Sequence, residues 1–346
     1  MTSRERILAA MRHEKVDRVP VSPFGFGHLA EDSEMVAELL EKTDPFVGAP
    51  SGDSALWGHE PDITHSDDGR QRITVYHTPK GDLREVFTRT EITGDITEYA
   101  CKSAEDVEML MSLPWRPAEV DAEAFLARKR EIGDRGLVLT GIGDAIMLPM
   151  HVLGPHLACL LWAEAPQLVR DMVSEANRRI EDFVGRAAPA GVDAYRIVGG
   201  EYATELLGPK GFDALVAPFD TSLVSLMHRH GAVAYYHNHG NVNVFLERLA
   251  ALGIDFLDPL EVPPYGDVDL GDAIHRIGDR VCLVGGLDDM EILETRPTAE
   301  VQEMARETLR RAGTRSYILG GTASGTYTEK GARNFIALVD VVLEFA

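Results

Sequence analysis

Residues 232–261, AVAYYHNHGNVNVFLERLAALGIDFLDPLE, contain one complete strand–helix–strand unit. The first and last parts of this stretch are nearly continuous apolar runs, which is the pattern of parallel strands covered on both faces. The middle part, VFLERLAALG, has apolar residues three and four positions apart and ends at a glycine, which is typical of an amphipathic helix. The unit therefore predicts a parallel sheet with right-handed crossover connections.

The same alternation extends through most of the chain. Apolar runs at residues 136–144, 193–202, 280–288 and 315–325 predict four more strands, with helical patterns between them. VDRVPVSPF near the start and SGDSALWG further on, a weaker run, bring the number of strands to eight. Eight such units predict an α/β protein with a closed (β/α)8 TIM barrel, and the count alone also allows an open doubly wound sheet.

One segment interrupts the strand–helix rhythm. Residues 71–100 are rich in β-branched residues around a Pro-Lys-Gly-Asp turn, so they predict a β-hairpin insertion near residues 70–100 that packs over one barrel rim. We find no internal repeat, low-complexity tract or Pro/Ser-rich linker, and we therefore expect residues 1–346 to form a single domain.

Composition excludes several classes of partner. The chain has 346 residues and a formal net charge of −22, which would repel nucleic acid and anionic membranes. No apolar run is long enough for a membrane span, and the opening residues lack the apolar core of a signal peptide, so we expect a cytoplasmic enzyme. Three widely spaced cysteines fit a reducing compartment and form no metal or redox pair.

Each predicted strand ends in polar residues that could carry chemistry. The C-terminal ends of parallel barrel strands lie on one face, where active sites of this fold are built. We therefore expect one pocket there, although each residue alone could simply cap the next helix. The residues at these ends are Asp144, Glu201, His237, His239, Asp258, Glu261, Asp288, Thr322 and Ser324.

The pair His237 and His239 is the main candidate for a metal site. Residues i and i+2 of a strand project from the same side, so the two imidazoles point together while Asn238 points away. Glu201, at the end of the preceding strand, would complete a two-His, one-carboxylate set with an open position, for which we favour zinc. The alternative is that one histidine hydrogen-bonds a substrate or a carboxylate without metal. His28, just past the first strand, is a further candidate.

The chain resembles the uroporphyrinogen decarboxylase superfamily, which includes methylcobamide-dependent methyltransferases. The resemblance lies in RERILAAMRHEKVDRVPV at the start, HNHGNVNVFLERLAALGIDFLDPLE, GDRVCLVGGLDD and the closing YILGGTASGTYTEKGARNFIALVDVV. It implies a (β/α)8 barrel, and it is closer to the methyltransferase branch than to the true decarboxylases.

Two motifs depart from the two branches of that superfamily. True decarboxylases carry an arginine-containing segment after the first strand, whereas this chain has SPFGFGHLAED with two acids and no arginine. The methyltransferases carry a zinc-binding His-x-Cys where this chain has His237-Asn238-His239, and a cysteine in a loop that here reads GGTASG. The substitution of imidazole for thiolate would leave a more electrophilic ion, which still lowers the pKa of a bound thiol or water.

Three hypotheses follow for the function. The first is a zinc-dependent methyltransferase that moves a methyl group between a corrinoid on a partner protein and a small acceptor or methylated donor. The second is a metal-free decarboxylase or lyase, in which His237, Asp144 and His28 act as acid, base and orienting group. The third is a non-catalytic binder of a small ligand or a corrinoid protein. Two-fold dimers are the commonest protein assemblies, and the resemblance to this family also implies that a homodimer can form.

Roles are assigned to the candidate residues as follows. We expect His237 and Asp144 to be catalytic, and Glu201, His237 and His239 to ligate the metal. The residues expected to bind substrate are His28, Tyr202, Asn238, Glu261, Asp288 and Ser324.

Overall fold

The computed structural model describes residues 1–58, 62–90, 94–322 and 325–346. Twelve strands are formed within these ranges. They are β1 (Val21–Ser22), β2 (Phe46–Gly48), β3 (Ile63–Asp67), β4 (Gln71–Thr78), β5 (Gly81–Arg89), β6 (Gly94–Glu98), β7 (Leu137–Gly143), β8 (Ala194–Val198), β9 (Val233–His237), β10 (Phe256–Leu260), β11 (Cys282–Leu287) and β12 (Tyr317–Gly321).

Twelve α-helices cover or connect these strands in the same described ranges. They are α1 (Ser3–Met11), α2 (Glu34–Lys42), α3 (Ala104–Met111), α4 (Ala122–Ile132), α5 (Met147–Glu164), α6 (Pro166–Ala187), α7 (Gly208–Leu215), α8 (Ala217–Arg229), α9 (Leu246–Ala251), α10 (Leu270–Ile277), α11 (Thr298–Ala312) and α12 (Glu329–Leu343). No helix in the described part of the chain is long and apolar enough to cross a membrane.

Eight of the strands form one parallel sheet that curls into a barrel. Their spatial order is β1-β12-β11-β10-β9-β8-β7-β2, and every pairing within it is parallel. The two ends of the sheet meet, because the Gly25 amide donates to the Phe46 carbonyl at 2.7 Å and the Phe46 amide donates to the Pro23 carbonyl at 3.1 Å. The predicted (β/α)8 barrel is therefore confirmed.

The six later strands lie where the apolar runs predicted them, but the second strand does not. SGDSALWG makes only an isolated bridge from Gly52 to Val120, whereas β2 forms earlier, at Phe46–Gly48. The apolar part of β2 is only Phe46 and Val47, and Pro45 and Pro50 lie close on either side, so the sequence pattern does not identify a strand there. Phe46 and Val47 are nevertheless buried on opposite faces of the sheet, which is what fixes this strand in the barrel.

The predicted hairpin is part of a larger insertion. β4 and β5 pair antiparallel across a turn at residues 79–80, and β3 and β6 add one strand on each side. Tyr76 and Leu83, which are paired across β4 and β5, are buried in the main hydrophobic core. The opposite face is mixed, with Ile73, Val75 and the buried Val86 among polar residues, so the face of Tyr76 and Leu83 is the one that joins the core of the barrel.

The barrel interior is filled by aromatic rings below its C-terminal mouth. Phe46, Tyr235 and Phe256 are each at most 2% exposed, and their ring centroids lie 4.8–5.5 Å apart. Phe24 lies on top of this layer, 6.0 Å from the Tyr235 ring. The interior is therefore a packed floor, and any ligand must bind above it.

A buried ion cluster fixes the junction before β1 and β2. The Asp44 side chain is fully buried and accepts from Arg6 at 2.5 Å and Arg18 at 2.6 Å. It also accepts from the Val21 amide at 2.9 Å. This carboxylate links α1, β1 and the turn into β2, so it holds together the edge at which the barrel closes.

Candidate functional site

The end of β9 presents His237 to the interior of the barrel. Tyr235, two residues earlier, belongs to the aromatic floor, so alternation along the strand places His237 on the same side. The register between β9 and β10 pairs His237 with Asp258. The His237 Nδ1 atom lies 2.6 Å from Asp258 Oδ2, and both residues are almost completely buried.

His239 forms a second histidine–carboxylate pair beside the first. Its Nδ1 atom lies 3.2 Å from Glu261 Oε1, and the Gly240 amide donates to Glu261 Oε2 at 2.6 Å. The centroids of the His237 and His239 rings are 4.5 Å apart and the rings are almost perpendicular. Both imidazoles thus lie together in the mouth, with each Nδ1 engaged by a carboxylate, and neither Nε2 has a hydrogen-bond partner in the described ranges.

The two rings differ in their electrostatic surroundings. Burial lowers the pKa of His237 more than the bond to Asp258 raises it. Burial also opposes the charge on His239, but the hydrogen bond and charge of Glu261, with Asp258 and Glu201 nearby, raise its pKa overall. His237 therefore gives up a proton more readily than an ordinary imidazole, and His239 holds one more strongly.

Glu201 does not converge on the histidines. Its carboxylate turns back and accepts from the Gly199 amide at 3.1 Å. Across the described residues, no group of three or more His, Cys, Asp and Glu side chains is arranged to hold a metal ion. Two imidazole nitrogens are thus in place for a metal and a third donor is not, so the predicted role of Glu201 as a ligand stays a prediction.

Asp144 lies in a buried acidic cluster outside the histidine pair. It is fully buried, and Asp258, not Asp144, is the hydrogen-bond partner of His237. Burial, with Asp220 and Glu201 nearby, raises the pKa of Asp144 well above its usual range. Asp220, which accepts from the Tyr236 hydroxyl at 2.7 Å, is equally enclosed. A carboxyl group without access to the mouth is poorly placed to touch substrate, and its catalytic role stays a prediction.

The turn after β8 presses directly on this acidic cluster. Gly199 has φ +134, and a Cβ built there would lie 2.2 Å from Asp144 Oδ1. A Cβ on Gly200 would lie 2.5 Å from the Tyr236 hydroxyl and 2.6 Å from Asn238 Oδ1. Glycine at both positions therefore lets the chain that carries Glu201 pack against the cluster.

The other predicted substrate-binding residues are dispersed around the rim. Asn238 is fully buried and donates to the Thr204 hydroxyl at 3.0 Å, so it fastens the loop after β8. Tyr202 lies edge-on to His151 with ring centroids 6.3 Å apart. The His28 amide donates to the Tyr327 carbonyl at 2.8 Å.

Two of the predicted residues belong to the last strands of the barrel. Asp288 caps the turn after β11 by accepting from the Met290 and Glu291 amides, and the Thr322 hydroxyl donates to it at 3.2 Å. Asp288 therefore caps the element that follows its strand, which is the role that the sequence also allowed for each of the strand-end residues. Ser324 lies outside the described residues. The binding roles of these residues remain predictions.

Arg196 is a residue of the mouth that the sequence analysis missed. It lies on β8 between the inward-facing positions of Ala194 and Val198, and the register pairs it with Gly141 on β7 and Tyr235 on β9. Its guanidinium carbon lies 4.3 Å from the centre of the ring of Phe24, which follows β1 and makes an isolated bridge to Phe46 of β2. A signal was present, because a charged residue at an inward position of an otherwise apolar strand indicates a functional lumen.

Comparison with known proteins agrees with this architecture. The family model described as uroporphyrinogen decarboxylase (URO-D) matches residues 87–345. The chain belongs to the uroporphyrinogen decarboxylase family. No curated protein sequence matched the chain.

Solved structures with the same fold include a methyltransferase from Methanosarcina mazei. It is 17% identical, with a TM-score of 0.67, and the match covers 100% of this chain and 99% of that one. A B12-independent methionine synthase from Shewanella sp. W3-18-1 is 10% identical with a TM-score of 0.42, covering 94% and 97% of the two chains. At 17% identity, the first likeness shows a shared fold over the whole chain.

Proposed function

We propose that the chain is a methyltransferase whose methyl acceptor, or methylated donor, binds in the barrel mouth against His237 and His239. The observation that carries the proposal is the pair of neighbouring imidazoles, each held at Nδ1 by a carboxylate with Nε2 directed away from it. Membership of the uroporphyrinogen decarboxylase family and the fold shared with a methyltransferase support the reaction class.

The histidines supply what methyl transfer to an acceptor requires of the protein. An acceptor X–H must lose its proton as the X–CH3 bond forms and the bond from the methyl group to its carrier breaks. His237 accepts that proton at Nε2, and Asp258 stabilises the resulting imidazolium from the Nδ1 side. His239, whose side chain is 39% exposed, offers a route for the proton to solvent. A methyl-corrinoid carried by a partner protein over the mouth is the proposed methyl source.

Zinc is the proposed metal, and the residues present fit it in part. A metal-bound histidine characteristically has its other nitrogen held by a carboxylate, and both His237 and His239 meet this condition. A third ligand requires Glu201 to release the Gly199 amide. Zinc bound there would lower the pKa of an acceptor thiol or water. A His237 Nε2 atom that bound zinc could not also accept the proton, so the metal would replace His237 as the group that makes the acceptor lose its proton, by lowering the pKa of the acceptor enough for release to solvent.

Metal analysis tests the zinc proposal separately. Protein purified without added metal is expected to contain close to one equivalent of zinc, and His237→Ala and His239→Ala are each expected to lose it. If the protein contained only traces of metal, and neither zinc nor a chelator changed its activity, the zinc proposal would be contradicted. The proposal that His237 is the base would then stand.

Methyl transfer itself is tested with free methylcobalamin as donor. The purified protein is incubated with a panel of small thiols and hydroxyl compounds, and demethylation of the cobalamin is followed by its absorbance. In the reverse direction, reduced cobalamin is offered methoxylated compounds. We expect turnover that is lost in His237→Ala and kept in the control His275→Ala, an exposed residue of α10. Absence of turnover in both directions, or an unchanged rate in His237→Ala, would contradict the proposal.

A second candidate is a metal-free decarboxylase or lyase that acts on a small carboxylated substrate. The buried His237–Asp258 pair favours it, because such a pair moves protons without a metal. Release of carbon dioxide that persists in the presence of a chelator, without methyl transfer, would select this candidate. Ligand binding without any turnover, with partner binding unchanged in His237→Ala, would instead select a non-catalytic binder.

A further inference from the structure

Four exposed apolar side chains follow one another around half of the barrel mouth. Leu206, Val244, Tyr265 and Met290 are 42–59% exposed. They lie in the loops after β8, β9, β10 and β11, which are neighbours in the barrel. Eight large apolar side chains are exposed in the part of the chain that the structure describes, so half of them lie at this place. A single exposed apolar residue is ordinary, whereas one on each of four adjacent loops forms a patch, here called the apolar rim.

Carboxylates fasten the loops of the apolar rim to one another. Glu205 Oε1 accepts from the Asn241 amide at 2.7 Å, which joins the loops after β8 and β9. Asp267 Oδ1 accepts from the Asn243 amide at 3.0 Å, which joins the loops after β9 and β10. Glu205 and Asn243 each directly precede a residue of the apolar rim. The rim is therefore held in place before anything binds, which reduces the loss of entropy on binding.

A groove opens beside Tyr265, between the loop after β10 and α11. Its volume is about 660 Å³, and Val262, Ile292 and Met304 contribute apolar side chains to its lining. Charged side chains, including that of Glu307, line it as well. An apolar groove beside an exposed aromatic ring is suited to receive an apolar side chain of another protein.

The surroundings of the apolar rim are acidic. Residues 199–216, 238–246, 261–269 and 288–298, which follow β8, β9, β10 and β11, contain ten Asp or Glu residues and two Lys or Arg residues. Glu205, Asp267 and Asp288 accept from backbone amides, and among the described residues none of the three forms an ion pair with a lysine or arginine. A second copy of the chain would bring two acidic surfaces together here, whereas a basic protein surface complements this one.

We infer that the apolar rim is the docking surface for a protein that presents apolar side chains within a basic face. The inference rests on the proposed function in identifying this protein as the carrier of the methyl group. The aromatic floor closes the barrel below His237, so the carrier reaches the histidine through the mouth. The insertion sheet belongs to the connection from β2 to β7, and its Tyr76 and Leu83 are packed into the core. The carrier therefore docks on the loops after β8 to β11.

Binding measurements with corrinoid proteins test the inference. Each corrinoid-binding protein encoded in the same genome is purified with methylcobalamin bound, and its affinity for the chain is measured by biolayer interferometry. We expect one of them to bind with a Kd of about 10 μM or tighter, and to bind more weakly as the salt concentration rises.

Tyr265→Ser combined with Met290→Ser should weaken this binding by about tenfold or more, because the two substitutions remove apolar anchors from the docking surface. The matched control is Leu160→Ser combined with Leu343→Ser, on α5 and α12. These two side chains are 43% and 56% exposed, against 42% and 55% for Tyr265 and Met290. The control should keep the wild-type affinity.

A second pair of substitutions covers the case in which the first does not fold. Leu206→Ser combined with Val244→Ser removes the other half of the apolar rim and should weaken binding to a similar degree. Unchanged affinity in both rim variants, or no binding of any corrinoid protein to the wild type, would overturn the inference. A homodimer, detected by light scattering, that dissociates in the rim variants would also overturn it, because the apolar rim would then join two copies of this chain.

The measurement is of binding, so its outcome is separate from that of the proposed function. Binding of a corrinoid protein that depends on the apolar rim, without methyl transfer to any acceptor, would contradict only the proposed function. Methyl transfer from a corrinoid protein whose affinity is unchanged in both rim variants would contradict only this inference.

Discussion

The Nδ1 atom of His237 and the Oδ2 atom of Asp258 lie 2.6 Å apart on adjacent parallel strands, almost completely shielded from solvent. The carboxylate fixes which ring nitrogen faces the lumen and stabilises the ring once it is protonated. This hydrogen bond is therefore the element of the site whose removal tests proton transfer most directly.

Asp258→Asn should lower kcat by about 10²–10⁴-fold while KM changes little, because general base catalysis of this kind contributes that range. The measurement is the rate of cobalamin demethylation under saturating acceptor. Asp279→Asn, at a side chain that is 81% exposed, is the matched control and should retain the wild-type rate. A wild-type rate in Asp258→Asn, with an unchanged circular dichroism spectrum, would show that the pair is structural.

Gly199→Ala should destabilise the protein by about 2 kcal/mol or more, because the backbone has φ +134 and the new methyl group would overlap Asp144. Denaturant unfolding measures the change. The control is Gly185→Ala within α6, where φ is ordinary and a Cβ meets no atom within 4 Å. That substitution should stabilise by about 0.5–1 kcal/mol. Equal stability of the two variants would contradict the close approach at Gly199.

The acidic cluster should give the protein a pH-dependent stability. Burial raises the pKa of Asp220 to about 7, against roughly 4 for an exposed aspartate. Between these values the folded state holds a proton that the unfolded state has released. Raising the pH through this window therefore lowers the free energy of unfolding.

Asp220→Asn should remove this pH-dependent decrease in the free energy of unfolding. The amide stays neutral at every pH, and its oxygen can still accept from the Tyr236 hydroxyl. Melting temperatures at pH 5 and pH 8 measure the effect, and the difference between the two should be smaller in the variant than in wild type. An equal change in melting temperature between pH 5 and pH 8 for the variant and the wild type would contradict the raised pKa of Asp220.

Asp44→Ala should cost about 3–5 kcal/mol, because it leaves Arg6 and Arg18 without the buried carboxylate that they share. The exposed pair of Arg248 with Asp213 provides the control. Asp213→Ala should change the free energy of unfolding by only about 0–1 kcal/mol. If both substitutions had the smaller effect in denaturant unfolding, Asp44 would not be fastening the barrel edge.

The later strands of the barrel could be predicted because both of their faces are buried, which makes their sequences continuously apolar. The first strands could not be placed as well. β1 has two residues and β2 has three, and strands this short are defined by their neighbours. The Phe46 run gained its place from hydrogen bonds to residues near β1, which no local pattern contains.

Within the site, sequence placed the two histidines together because the period of a strand is local. It did not identify the partner of His237, because pairing with Asp258 depends on the register between two strands. It does not show that the Glu201 carboxylate accepts from the Gly199 amide, because that contact depends on the backbone of the turn after β8. The sequence pattern did not indicate Arg196, because this residue lies within β8 and not at its C-terminal end.

Gly48 at the end of β2 and Gly141 on β7 lie at inward-facing positions, because Phe46 and Leu139, two residues before each of them, are buried in the barrel interior. Neither glycine contributes a side chain to the histidine pairs, and alanine or serine at either would project into empty volume. A larger residue at either position would therefore reduce the volume of the barrel mouth without altering the His237–Asp258 and His239–Glu261 pairs.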